Sequence, residues 1–283
     1  MPISLKDAEA PAKKQRKLTL RPVYDSDQVQ MYNCCEFLAG HPMLQHLLFA
    51  FLAIAVPAWD FYATRRLKNN PGSLQKIGYY KCLCGFLWTA SFVAVITVGF
   101  REVLTIAPLP DDAAWLFGRP WVKYLAETAI VLFVGLAFLS CVTVAWKKLN
   151  NRPRTYRSAE ALKPFEYFFP ATRTERRWWV LVCVTAGCCE EVLFRGFMLH
   201  YLHVSPWTLN LTLALLISSL IFGLNHLYGG IRGVVESATG GFVLGLLFLL
   251  SGNLVLPIIL HALMDLRMLV ILRPPVQQTA AAS

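Results

Sequence analysis

Three short patterns set acids and imidazoles one helical turn apart inside apolar sequence: Glu190-Glu191-Val-Leu-Phe-Arg195, Phe222-Gly-Leu-Asn-His226 and His261-Ala-Leu-Met-Asp265. Residues four apart share a helix face. Glu191 and Arg195 can therefore pair, Phe222 can lie beside His226, and Asp265 can accept from one nitrogen of His261 and fix its tautomer. Glu190 is turned by about 100° from Glu191. It can project into a bundle while its neighbour is neutralised by Arg195, which leaves it as the carboxylate available to act as a general base. An ionisable group in a bilayer interior costs at least ~2.5–3.5 kcal/mol and marks function by default. Three successive apolar stretches, each with His or Glu and a helper one turn away, point to one shared polar site.

Two chemistries suit such a site. A glutamate and two histidines could hold zinc, although the sequence has no HExxH pattern. Without a metal, the glutamate would activate water, one histidine would position it, and the other would donate to the developing oxyanion. A thiol mechanism is weaker. Cys188 and Cys189 flank the Glu pair, but no nucleophile elbow of the GxSxG kind is present. His200 and His203 fall toward a span end and read as interfacial.

The elements that must position these groups are membrane helices. Only 16% of the 283 residues are charged (27 Lys+Arg against 17 Asp+Glu), where a soluble domain has about 25%. Stretches 37–59, 82–100, 128–146, 196–231 and 237–264 carry no charge, and about 20 apolar residues cross a bilayer. These runs exclude a soluble domain, a disordered chain and a disulfide-stapled module. They do not alternate as barrel strands would.

The expected fold is all-α, a polytopic helical membrane protein with about seven, at most eight, transmembrane helices. Spans are expected near 44–63 (with Pro57 as a possible kink), 82–100, 124–146, 178–203, 207–228, 232–250 and 253–272. The organisation follows: a polar tail over 1–43, three helices over 44–146, a basic loop over 147–177, a catalytic core over 178–272 and a short tail over 273–283. Within the basic loop, 163–170 mixes aromatics with charge between two prolines and reads as interface-lying. Trp178, Trp179 and Trp207 sit at span ends, as aromatic belts do. Gly241 and Gly245, four apart, allow close helix approach.

Charge gives orientation. The first loop carries five Lys/Arg and no acid, the third nine Lys/Arg against three acids, and the second is balanced. Loops one and three should face the cytoplasm, which puts the N-terminal tail outside and the C-terminus inside if the number of spans is odd. The net charge of +10 follows these loops and the tail, so a nucleic-acid partner is not expected. The eight cysteines match no zinc-ligand or redox spacing and read as buried free thiols. The first 17 residues lack an apolar run, so no cleavable signal peptide is expected.

The three patterns, in this order on apolar helices, resemble the CPBP family: the CAAX prenyl endopeptidases and the bacteriocin-processing or immunity proteins, also called Abi. Its pattern is EExxxR, FxxxH, then HxxxN or HxxxD, and Gly196-Phe197 after Arg195 is also similar. The likeness covers about 178–272 and none of the first 177 residues. It implies an intramembrane endopeptidase with a CAAX-protease-like four-helix core. Glu190 would activate water with help from His226, His261 and Asp265 would line the oxyanion side, and Glu191, Arg195 and Phe222 would support them. Asp265 stands where an asparagine could donate to an oxyanion. An ionised carboxylate cannot donate, so Asp265 is either protonated in its apolar site or, as the favoured expectation, only orients His261.

The resemblance implies no cofactor, with zinc as the alternative. The expected partners are the lipid bilayer and a membrane-associated peptide or protein substrate: a CAAX-like tail, a leader peptide or a sorting tail. The expected location is a prokaryotic cytoplasmic membrane. Two rivals are a non-proteolytic immunity or scaffold protein and a transporter. The transporter reading should bring inverted repeats, and the two halves share no motif.

Overall fold

The computed structural model describes residues 42–105, 167–204 and 206–271, with isolated helical positions at 124, 128, 131, 135, 139, 142, 143 and 146. The expected third span (124–146) lies outside the described residues apart from those eight positions. So do nearly all of the N-terminal tail, residues 147–166 of the basic loop, and the C-terminal tail.

Among the described residues every regular element is a helix. Helix α1 covers Pro42–Asn69 and contains a π-helical turn at Phe51–Ala55. Helix α2 is Ser73–Val98 and the short α3 is Phe100–Leu104. Helix α4, Arg173–Glu191, continues into π-helical segments Val192–Met198 and His200–Val204. Helix α5 is Leu211–Leu224. After a 3-10 turn at Leu227–Gly229 come α6, Gly230–Ser251, and α7, Val255–Ile271.

Three helical stretches, Pro42–Asn69, Ser73–Val98 and Leu227–Ser251, are long and apolar enough to cross a membrane, and Leu211–Leu224 is a shorter apolar helix. Large side chains such as Ile54, Trp88, Phe92 and Leu220 face outward. Such a surface belongs against lipid rather than water, and these features fit an integral membrane protein.

Two elements differ from expectation for physical reasons. Helices α1 and α2 absorb almost all of the basic first loop, leaving Asn70–Gly72 between them. Arg65, Arg66 and Lys68 ride on the end of α1, where long basic stems can reach past apolar surface. Lys76 is buried: its Nζ donates to Phe169 O at 2.9 Å and lies 3.7 Å from Glu175. Helix α5 stops at Leu224 instead of running to 228, because the Asn225 amide turns back to donate to Ile221 O (2.8 Å) and to Leu52 O (3.2 Å) in the π turn of α1.

Helix ends are capped by side chains. The Thr172 hydroxyl accepts from Glu175 N–H at 3.2 Å while the Glu175 carboxylate accepts from Ala171 N–H at 2.8 Å, a reciprocal arrangement that starts α4. Asn210 Oδ1 accepts from Leu213 N–H to start α5. The starts of α2 and α4 lie together through Lys76, and Arg176 on α4 donates to Leu269 O near the end of α7. Helices α2 and α4 are thus parallel and α7 is antiparallel to both. At the opposite end Gln45 Nε2 donates to Thr97 O (3.0 Å) and Leu254 N–H donates to Leu104 O (3.1 Å). Phe168, at the end of the segment expected to be interfacial, is buried against Tyr79 and Trp179.

Candidate functional site

The site forms where α4, α5, α6 and α7 meet, and small residues permit the approach. A Cβ on Gly187 would lie 2.8 Å from the backbone nitrogen of Ala262 in α7, and one on Gly223 would lie 2.6 Å from Val234 O in α6. Gly241, expected as a close-approach residue, is one. A Cβ there would stand 2.9 Å from the Phe222 ring and 3.2 Å from Arg195 Nη2.

Glu191 is fully buried, and its Oε1 accepts twice: from Arg195 Nη1 at 2.8 Å and from His261 Nδ1 at 2.7 Å. Arg195 also donates through Nη2 to Gly241 O at 3.0 Å, so one guanidinium links α4 to α6. Its charged plane lies over the Phe222 ring, 4.6 Å from the centroid. The same ring stands 4.9 Å from His226 and 5.9 Å from His261, between centroids. Phe222 thus acts as a spacer that sets both imidazoles and the arginine around one point.

The i,i+4 partnership expected between His261 and Asp265 is not the bond that holds the ring. Asp265 Oδ2 is 3.8 Å from His261 Nε2, beyond hydrogen-bond range. The orienting carboxylate is Glu191, from another helix. With Nδ1 committed to Glu191, the remaining nitrogen Nε2 lies 3.7 Å from Glu190 Oε2.

His226 also departs from expectation. It lies past the end of α5, at φ −110° and ψ 22°, instead of on the helix. Its Nδ1 donates to Phe222 O at 2.9 Å. A neutral ring that donates from Nδ1 keeps Nε2 as an acceptor. Irregular backbone at membrane depth is tolerated where it lines a cavity, and His226 does. It shares with Glu190, His261 and Asp265 the wall of a cavity of about 360 Å³. Glu190 Oε2 has no hydrogen-bond partner among the described residues.

Among the described residues, no group of three or more His, Cys, Asp or Glu side chains is arranged to hold a metal ion. The cysteines that are described (Cys82, Cys84, Cys183, Cys188 and Cys189) are free thiols. His203 donates to Leu209 O at 2.7 Å, in the π-helical segment His200–Val204 that follows α4.

One residue had no pattern to announce it. Asp60 in α1 is buried and accepts from the Tyr79 hydroxyl. It lines a second, smaller cavity that Glu190 and His226 also line. The only signal in the sequence was a single acid at the edge of the first apolar run.

The fold and the site define a helical membrane protein with a buried glutamate–arginine pair and two imidazoles around one acid. Residues 173–267, about a third of the chain, match the family described as type II CAAX prenyl endopeptidase Rce1-like. The matched segment holds all three patterns. No curated protein and no solved structure matches the chain.

Proposed function

We propose that the protein is an intramembrane endopeptidase that hydrolyses a peptide bond of a membrane-associated substrate with water activated by Glu190. The observation that carries this reading is the Glu190 carboxylate, one oxygen unpartnered, on a cavity wall shared with His226 and His261. A polar, roomy cavity holds water. Glu190 takes one proton of the attacking water as the water oxygen bonds the scissile carbonyl carbon, and returns it to the leaving amine nitrogen as the C–N bond breaks. His226 Nε2 accepts the second hydrogen and so fixes the direction of the water. His261 acts as the doubly protonated ring: Nδ1–H is held by Glu191, and Nε2–H donates to the developing oxyanion. Asp265 borders that nitrogen as a charge neighbour. Glu191 and Arg195 position His261, and Phe222 spaces the rings. The family match supports peptide hydrolysis, and the apolar helices support a membrane-delivered substrate. A scaffold protein would use the Glu191–Arg195 pair but has no need of a second, unpartnered carboxylate beside a cavity.

The test is Glu190→Ala in the full-length protein. The expected result is loss of at least about 100-fold in turnover, the usual contribution of a general base, with unchanged membrane insertion and elution. Comparing membrane proteomes of wild-type and variant cells should reveal the substrate as an accumulating uncleaved precursor. Full turnover by the variant would remove the proposal. Dialysis against a chelator is expected to leave the wild-type rate unchanged. A loss restored by added zinc would replace the water-activation scheme with a metal one.

A further inference from the structure

We infer that Asp60 and the aromatic rings around it form a pocket for a positively charged group of the peptide substrate, a lysine or arginine side chain or an amino terminus, beside Glu190. The inference rests on the hydrolase reading of Glu190 and adds a substrate class to it. The pocket is built mainly by α1 and α2, outside the segment that matches the endopeptidase family.

Asp60 is 6% exposed within an apolar helix. Among the described residues its carboxylate has one hydrogen-bond donor, the Tyr79 hydroxyl, whereas a carboxylate offers about four acceptor positions. The cavity it lines, of about 70 Å³, has room for the end of a side chain, and among the described residues no lysine or arginine lines it. Beside aliphatic side chains such as Leu52 and Leu83, its walls carry ring faces and edges. Trp59 lies parallel to Tyr79 (5.9 Å, 7°), Tyr79 meets Phe168 edge-on at 5.7 Å, and Phe168 lies 5.2 Å from Tyr228. Tyr228 is 5.8 Å from the His226 ring. The row of rings thus runs from Asp60 to the acid–imidazole site.

Aromatic faces attract cations, most strongly where water is excluded. A buried carboxylate facing such a wall without a cation of its own is costly, and a bound counter-charge removes that cost. An acidic group would be repelled, and a neutral aliphatic group would leave the carboxylate uncompensated. A cation is the occupant that both the carboxylate and the rings favour.

Binding is measured without turnover, on the full-length Glu190→Gln protein in lipid nanodiscs. The probes are pairs of dodecanoyl-anchored pentapeptide amides that differ only in lysine or norleucine at one position, scanned along the peptide. At one or more positions lysine should bind at least tenfold more tightly than norleucine. Adding Asp60→Asn should bring that ratio below twofold and leave norleucine binding unchanged. Equal binding of the two peptides at every position, a comparison that needs no variant at Asp60, overturns the pocket. So does a lysine preference that survives Asp60→Asn. Should Asp60→Asn not fold, Trp59→Leu removes one ring face and should reduce the ratio at least threefold; an unchanged ratio overturns the pocket. Lysine preference without cleavage by the wild type leaves the pocket standing and removes the hydrolase reading. Cleavage without the preference removes only the pocket.

Discussion

Glu191 is a single buried carboxylate with two charged or chargeable donors on one oxygen. It joins structure and chemistry in a way that one variant cannot separate. Glu191→Gln strands the buried Arg195, and breaking a buried pair costs about 3–5 kcal/mol. The expected result is a large drop in thermal midpoint in detergent together with lost turnover. The double variant Glu191→Gln with Arg195→Met removes the stranded charge and should recover much of the stability. Turnover should stay at least about tenfold low, because the neutral amide oxygen of the variant accepts from His261 Nδ1 more weakly than the carboxylate did and no longer backs the ring with a negative charge. Recovery of stability and rate together would show that Glu191 acts only through Arg195. This role was half-legible in the sequence. The one-turn spacing announced the pair with Arg195, but the partner on His261 is 70 residues away, and no local pattern carries such a contact. The same blindness assigned His261 to Asp265, its neighbour along the chain.

Helices deliver these groups only where they can approach closely. At Gly187 the approach is to backbone: an added Cβ would meet the Ala262 nitrogen at 2.8 Å, and backbone does not step aside as a flexible side chain can. Gly187→Ala should push α4 from α7 and carry Glu190 and Glu191 away from His261. Overpacking of this kind costs about 1–3 kcal/mol, and a displacement near 1 Å in a catalytic constellation can cost about 100-fold in rate. The measurement is turnover and thermal midpoint of Gly187→Ala beside Gly85→Ala, whose added Cβ meets nothing within 4 Å. The first should lose both and the second neither; equal behaviour would mean that the α4–α7 contact does not set the site. The apolar runs foretold helices where α4, α5, α6 and α7 lie, although of these only the stretch with α6 is long and apolar enough to cross a membrane. The stop of α5 at Leu224 was hidden, because the break depends on Asn225 reaching the Leu52 carbonyl in the π turn of α1, 173 residues away along the chain. His226 is at the site because of that break.

For the whole molecule, the basic loops foretold which helix ends lie together. The starts of α2 and α4 gather at one end, as the shared bias of loops one and three implied, and the end of α7 lies with them. What charge counting missed is that part of the bias is structural. Lys76 is inside the protein, and Glu175 on α4 faces it at 3.7 Å. Glu175 lies before the apolar stretch that begins at Trp178. Burial alone would raise its pKa, but hydrogen bonds from the Ser73 side chain and the Ala171 N–H, with the Lys76 charge, outweigh burial and hold it below the ordinary glutamate value. A carboxyl whose pKa is lower folded than unfolded stabilises the fold fully above its unfolded value, about 4.3. It loses that contribution as pH falls through the folded value. The latch between α2, α4 and the 167–171 segment should therefore hold through neutral and mildly acidic pH and weaken below about pH 4. Glu175→Gln should cost about 1–3 kcal/mol at pH 6, as a lost cap and charge-assisted hydrogen bonds. The difference in thermal midpoint between wild type and variant should shrink steadily from pH 5 to pH 3. A gap independent of pH would mean that shape rather than charge joins these ends. In that case the basic bias of loops one and three would serve membrane orientation alone.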